Sequence, residues 1–358
     1  MKIVGCDLHA RQPSIAMLDT ETGELTEKTI RHEGNAVGEF YAGLEKPVVV
    51  GIEATGSMQW FLKLLEELGI EGRVGDPAKI RAAETRKQKH DRRDARLILD
   101  LLVMKDRFPA IWMPTSEQRD LRSLLRDRHP WVKMGARLQH TLQAIALNHA
   151  LRKGPSLWSR TGQEALRKLS LPRYTSQRRD ELMSLYAQLQ RRIQQLDNEV
   201  EEQAQPRLQA RRLMTHPGVG PVTALATDVF LGEASRFTTA NEVASYIGMI
   251  PSEHSSGQRQ RLGKMSKQGN SLLRDLWTEA GMHASRKDPE LKRFYRRTLI
   301  PKGMGKARIA AARKLGIRLW IMLRDQIDYE EFCRRGTLRQ KGKAHAGMPD
   351  FNRGPALQ

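Results

Sequence analysis

The sequence predicts an α/β domain at the N-terminus followed by all-α domains, and three observations predict it. Up to residue 114, short β-prone runs first follow one another and then alternate with helix-like stretches. From Thr115 onward, apolar residues recur at steps of three and four, the helical period. The 358 residues suffice for two or three separately packed cores without a disulfide or metal staple. The expected division is 1–114 α/β, 115–205 basic helices with a coiled coil, 206–335 a further helical domain, and 336–358 a disordered basic tail.

The first elements are Ile3 to Leu8, Ser14 to Leu18 and Leu25 to Arg31, with Glu21-Thr22-Gly23-Glu24 as the turn between the last two, a three-strand meander. A helix is expected from Ala36 to Leu44, then a strand through Val48-Val49-Val50-Gly51-Ile52-Glu53. A helix from Met58 to Leu68, closed by Gly69, and a strand near Gly72-Arg73-Val74 follow. From Thr115 to Arg152 the pattern is helical, with Pro130 expected to kink or break it. After Pro172, Leu182, Leu185, Leu189, Ile193, Leu196 and Val200 form the apolar seam of a coiled coil or of one helix in an intramolecular bundle.

A net charge of +20 favours a polyanionic partner, nucleic acid first. The charge is uneven. Residues 77–160 hold 19 Lys or Arg against 8 Asp or Glu, whereas the first 60 residues have a slight acidic excess. No apolar run approaches the roughly 20 residues of a spanning helix, and Asp7 comes too early for a signal peptide, so a soluble intracellular protein without a membrane partner is expected. Cys6 and Cys333 have no metal-ligand spacing and are read as inert thiols in a reducing compartment.

Four carboxylates carry the chemistry. Asp7 ends the first strand and Glu53 the fourth, and strand ends are where an α/β sheet builds sites. Asp91 and Asp94, in His90-Asp91-Arg92-Arg93-Asp94, lie three residues apart at the start of a helix and therefore on one face. Each acid alone reads as a cap or as an ion-pair partner of Arg92, Arg93 or Arg96. Together they would make an oxygen-only cage suited to Mg²⁺ or Mn²⁺, able to hold the attacking and leaving oxygens of a phosphodiester.

Two later segments add to this. The stretch from Arg211 to Ala224, with His216-Pro217-Gly218-Val219-Gly220-Pro221 at its turn, resembles a helix-hairpin-helix, whose Gly218, Val219 and Gly220 backbone is expected to face a DNA phosphate without reading sequence. The loop Ser252-Glu253-His254-Ser255-Ser256-Gly257 reads first as a turn. A serine nucleophile there would need a base or positive charge; His254 is a candidate base, and Arg259, Arg261, Lys264 and Lys267 supply charge.

These motifs in this order resemble the DEDD transposases and recombinases of insertion-sequence family one-ten, related to the Piv DNA invertase. The resemblance covers nearly the whole chain: the four acids, Gly51-Ile52-Glu53-Ala54-Thr55-Gly56, the His216 hairpin, Gly248-Met249-Ile250-Pro251, Ser256-Gly257, and Lys267-Gln268-Gly269-Asn270. It departs at His129-Pro130, where an uninterrupted basic helix is expected. It implies an RNase H-like (RuvC-like) N-terminal domain with Asp7, Glu53, Asp91 and Asp94 as catalytic Mg²⁺ ligands. It also implies a C-terminal transposase domain whose serine, Ser256 by motif position and Ser255 as fallback, forms a covalent phosphoserine with DNA. Donor and target DNA, a structured bridge RNA as guide, and a homo-oligomer, dimer or tetramer, are the partners so implied. The resemblance further implies a bacterial cytoplasmic protein, nucleoid-associated when active. The alternative is a RuvC-like junction nuclease that uses the same metal site with water as nucleophile.

Overall fold

The computed structural model describes residues 1–9, 12–84, 91–104, 107–152, 154–253 and 261–336, without the side chains of 91, 92, 154 and 155. Two compact units result, Met1–Met113 and Pro114–Gln358.

The first unit contains β1 (Lys2–Asp7), β2 (Ser14–Asp19), β3 (Leu25–Thr29), α1 (Ala36–Ala42), β4 (Val48–Glu53), α2 (Gln59–Glu67), β5 (Glu71–Gly75), α3 (Pro77–Ala83) and α4 (Asp91–Val103). The sheet order is β3-β2-β1-β4-β5: the meander is antiparallel, and β4 and β5 add in parallel beside β1. β1 and β4, the central pair, are covered on both faces, which is why Val48-Val49-Val50 is a continuous apolar run. On one face Val4, Cys6, Val50, Ile52 and Val74 pack with Tyr41, Phe61 and Leu65 from α1 and α2. On the other lies α4, pressed directly onto Gly5 and Gly51, which are paired in register. α3 begins where Asp76 accepts hydrogen bonds from the Ala78 and Lys79 N–H groups with Pro77 in the first turn.

The second unit is mainly helical. It contains α5 (Ser116–Asn148), α6 (Arg160–Arg167), α7 (Arg173–Ala204), α8 (Leu208–Met214), α9 (Pro221–Leu231), α10 (Ala240–Tyr246), a hairpin of β6 (Pro251–Glu253) and β7 (Leu262–Met265), α11 (Ser271–Lys287) and α12 (Pro289–Arg324). α5 starts at a reciprocal cap between Thr115 and Gln118. It then continues helically through Pro130, which corrects the expected break. Tertiary contacts hold the helix on both sides of the missing N–H: Arg128 pairs with Asp197 at 2.5 Å, and His129 and Lys133 both reach Asp275. The apolar seam of α7 is one side of an antiparallel helix pair within the chain. Leu189, Ile193, Leu196 and Val200 are buried, and Gln139 of α5 donates to the Tyr186 hydroxyl of α7 at 2.6 Å. At the centre, α9 is buried along most of its length.

Some of the basic charge is spent inside this unit. Arg122 is buried, donates to the Val229 and Phe230 carbonyls at the C-terminal end of α9, and lies over the Phe230 ring. Burial lowers its pKa to about 10, leaving it charged at neutral pH.

Candidate functional site

In the first unit the site residues are placed by strand register. Gly5 and Gly51 face α4, and side chains two residues apart along a strand share a face, so Asp7 and Glu53 follow on that same face at the C-terminal edge. The neighbouring register pair is Cys6 with Ile52, which sets the two acids side by side. Asp7 is buried and Glu53 partly so. His9 Nε2 lies 3.1 Å from Asp7 Oδ2.

α4 runs antiparallel to β1. Ile3 packs against both the cluster of Ile98, Leu101 and Leu102 and that of Ala95 and Leu99, whereas Gly5 lies beneath Ala95 and Leu99 alone. Two further strand residues advance about 6.7 Å, a little over four helical residues. The first turn of α4, which carries Asp91 and Asp94, therefore belongs opposite Asp7 and Glu53. Asp94 is partly buried; Arg93 beside it is exposed, and the Asp91 and Arg92 side chains lie outside the described residues. The threonine of the Glu53-Ala54-Thr55 turn was not singled out by its chemistry in the sequence, and its Oγ1 is buried without a hydrogen-bond partner among the described residues.

These donors are carboxylate oxygens, the chemistry Mg²⁺ and Mn²⁺ prefer. Among the described residues, no three His, Cys, Asp or Glu side chains come close enough together to hold a metal ion. Asp7, Glu53 and Asp94 thus share an edge without closing a cage by themselves. Cys6, on the opposite face, contributes nothing to it: burial pushes its thiol up to about 12.

In the second unit, glycines interlock the segments around the serine loop. Gly248 (φ 72°) lies against the Gln268 backbone and Gly269 (φ 113°) against the Tyr246 carbonyl, approaches that leave no room for a Cβ. Hydrogen bonds tie the same segments: Lys267 N–H to Gly248 O at 3.1 Å, Ser266 N–H to Ile250 O at 2.8 Å, and Arg274 Nη1 to Ile247 O at 2.8 Å. The β6–β7 hairpin rises from this base. Its connecting segment carries His254, Ser255, Ser256 and Arg259, which lie outside the described residues; Arg261, Lys264 and Lys267 are exposed.

The hairpin turn between α8 and α9 is engaged with its own unit. Gly218 (φ 89°) abuts the α11 backbone at His283 and Ala284, and Val219 is buried with its N–H donated to His216 O. Gly220 alone of the three is exposed with open space around it, and α9 begins there without a side-chain cap. Beneath the turn is a buried cluster the sequence reading did not assemble. His216 packs at a tilt against Tyr329 with ring centroids 4.5 Å apart; Tyr329 donates to Asp288, which also pairs with Arg318 at 3.0 Å. Burial, the largest influence, lowers the His216 pKa to about 4, so the ring is neutral at pH 7. Its one advance signal was Asp288-Pro289, a legible helix start.

Comparison with known proteins matches both units. A transposase family model of the DEDD, IS110 type covers residues 4–150, and the model for the transposase IS116/IS110/IS902 family covers residues 210–296. The chain belongs to this transposase family. Among its relatives, a probable family 20 transposase of Pseudomonas aeruginosa is 27% identical over 67% of the chain and 72% of that protein. The transposase for insertion sequence element IS1111A of Coxiella burnetii is 25% identical over 78% of the chain and 79% of its own length. A pilin gene-inverting protein of Moraxella lacunata is 28% identical over 63% and 62%. The two matched stretches hold the carboxylate edge and the interlocked glycines respectively. As a family member the chain is an enzyme of DNA transposition, and its DEDD domain points to a divalent metal. Among the described residues no helix is long and apolar enough to cross a membrane.

Proposed function

We propose that this transposase cuts and rejoins DNA through a serine nucleophile, with Asp7, Glu53, Asp91 and Asp94 as ligands for Mg²⁺ or Mn²⁺. The observation that carries the reading is the meeting of the β1 and β4 strand ends with the first turn of α4 on one edge of the sheet. An antiparallel meander extended by two parallel strands also fits an RNase H-like domain. A bound divalent cation would supply Lewis-acid stabilisation of charge on the phosphate oxygens.

The protein's part is to present the nucleophile and conserve the bond. Ser256 Oγ, with Ser255 as fallback, bonds to phosphorus as the bond from phosphorus to a deoxyribose oxygen breaks; the serine proton leaves, and the released strand end takes one up. The hydroxyl of a second strand then attacks the phosphoserine and restores the serine. The number of phosphodiester bonds is unchanged, so no energy source is required. Exposed Arg93, Arg261, Lys264 and Lys267, with Arg92 and Arg259, are assigned to the phosphate backbone, and Gly220 with the start of α9 to a sequence-independent contact. The proposal extends to a subunit pair or tetramer in which the acids of one chain serve the serine of another, and to a bridge RNA that selects the DNA partners.

The test is a denaturing gel of purified protein, Mg²⁺ and end-labelled DNA carrying an insertion-sequence junction. A protein-linked strand is expected from the wild type and not from Ser256→Ala. Adducts formed at the wild-type rate by both Ser256→Ala and Ser255→Ala would overturn the nucleophile. Free ends without any protein-linked strand would instead make the chain a junction nuclease using water. Sequencing nucleic acid that copurifies with the chain decides the guide: complementarity between a bound RNA and the joined DNAs is the expected outcome.

A further inference from the structure

α12 is two helical arms. At Gly303 the backbone leaves the helix (φ 74°, ψ 169°), and the chain turns back on itself. The base of this hairpin is fixed. Lys314 reaches Glu290 at 2.7 Å and Arg318 reaches Asp288 at 3.0 Å, while the returning arm lies on α11, Gly281 against Ala312 and Gly316 against the Trp277 ring. The tip is built in the opposite way. Residues 300–306 are all exposed, with Ile300 87% and Met304 64% accessible, and Pro301 between them. Around them, residues 291–312 contain seven Lys or Arg and no acid. Exposed Arg296, Arg297, Lys302, Lys306 and Arg308 have no ion-pair partner among the described residues.

Two large apolar side chains at the end of a braced arm, ringed by cations, match a wedge for duplex DNA. Wedge residues of this kind enter between base steps and kink the helix, while Lys and Arg hold the flanking phosphates. A second copy of the tip would meet seven like charges with seven, and a lipid surface is better served by a long apolar face than by two side chains. We infer that the Ile300–Met304 tip inserts into duplex DNA and bends it, with Lys302 and Lys306 on the phosphates. The inference rests on the reading of the chain as an enzyme that acts on DNA.

The experiment uses the full chain and a duplex of about 30 base pairs with a central TA step, a flexible site, and a fluorescence-transfer pair at its ends. Binding of the wild type should bring the ends together. Ile300→Ala/Met304→Ala should bind within about threefold of wild type while losing most of the transfer increase, since phosphate contacts dominate affinity. Lys302→Ala/Lys306→Ala should make the slope of log affinity against log salt shallower by about 2, at roughly 0.9 for each phosphate no longer neutralised. Both changes lie at exposed positions; unchanged melting of the two variants confirms intact folding. Undiminished bending by Ile300→Ala/Met304→Ala overturns the wedge alone. So does a wild-type salt slope in the lysine variant, conversion of an oligomer to monomers by the apolar variant, or loss of binding to a hairpin RNA or to phosphatidylserine vesicles with duplex bending unchanged. A wild-type chain with no affinity for the duplex overturns the wedge and the DNA-acting reading together.

Discussion

The carboxylate edge and the serine-bearing hairpin are built by opposite means. In the first unit, rigid elements deliver the acids: two adjacent parallel strands end in Asp7 and Glu53, and α4 starts opposite them with Asp94 in its first turn. In the second, backbone does the placing. Gly248 and Gly269 let two segments cross at van der Waals contact, and the hairpin grows from that crossing. A site built on strands keeps its geometry when a side chain changes but loses its chemistry. A site built on a glycine crossing loses its geometry when a methyl group is added.

The largest expected effect tests the chemical half of this contrast. Asp7→Asn removes one anionic oxygen at unchanged volume, so strand transfer should fall by about 10³-fold or more, the equivalent of several kcal/mol of lost charge stabilisation. The thermal melt of the protein should stay close to wild type; a large drop in melting temperature with activity retained per folded molecule would reverse the assignment. Next comes the geometric half. Gly248→Ala combines a left-handed backbone with a clash against Gln268 and should cost about 3 kcal/mol of stability, read from the denaturant midpoint. Denaturation at the wild-type midpoint would show that the crossing yields freely.

The smallest effect concerns pH. His216 has a folded pKa of about 4, below the ordinary value near 6.5, so the unfolded chain takes up the proton first. The stability this represents is complete above about pH 6.5 and is lost as pH falls toward 4, about 2 kcal/mol of it by pH 5. Hydrogen exchange should locate the loss in the second unit, around the α8–α9 turn, and His216→Phe should flatten the dependence. Equal loosening of both units on acidification would remove His216 as its cause.

The contrast also explains what could be read in advance. The first unit was legible because its elements are short and locally coded: a β-branched run at Val48 to Val50, a turn at Gly23, and acids at the strand ends. Their meeting follows once β1 and β4 are neighbours. In the second unit the deciding contacts join distant residues. Gly218 reads as a turn glycine, and only the packed α11 shows that it also admits a neighbouring backbone. Pro130 reads as a breaker because proline acts locally, whereas the partners that hold α5 around it, Asp197 and Asp275, come from α7 and α11. Arg122 counts toward a basic surface in the composition, yet its guanidinium is consumed by two carbonyls. The β6–β7 strands are short and polar, so no alternation announces them. Thr55 is visible in its motif, but its buried oxygen is a property of the fold.

The two glycines beneath α4 have a wider consequence. Where side chains of variable size normally space helix from sheet, backbone meets backbone at Gly5 and methyl groups meet backbone at Gly51. The gauge that separates the Asp94 carboxylate from the strand carboxylates is therefore set at Gly5 by backbone geometry rather than by rotamers. Repacking of the faces around Tyr41, Phe61 and Leu65, on the far side of the sheet, can adjust the tolerance of the unit to heat without altering that gauge. Tolerance to heat and the spacing of the carboxylates are thus written in separate residues of the same small sheet.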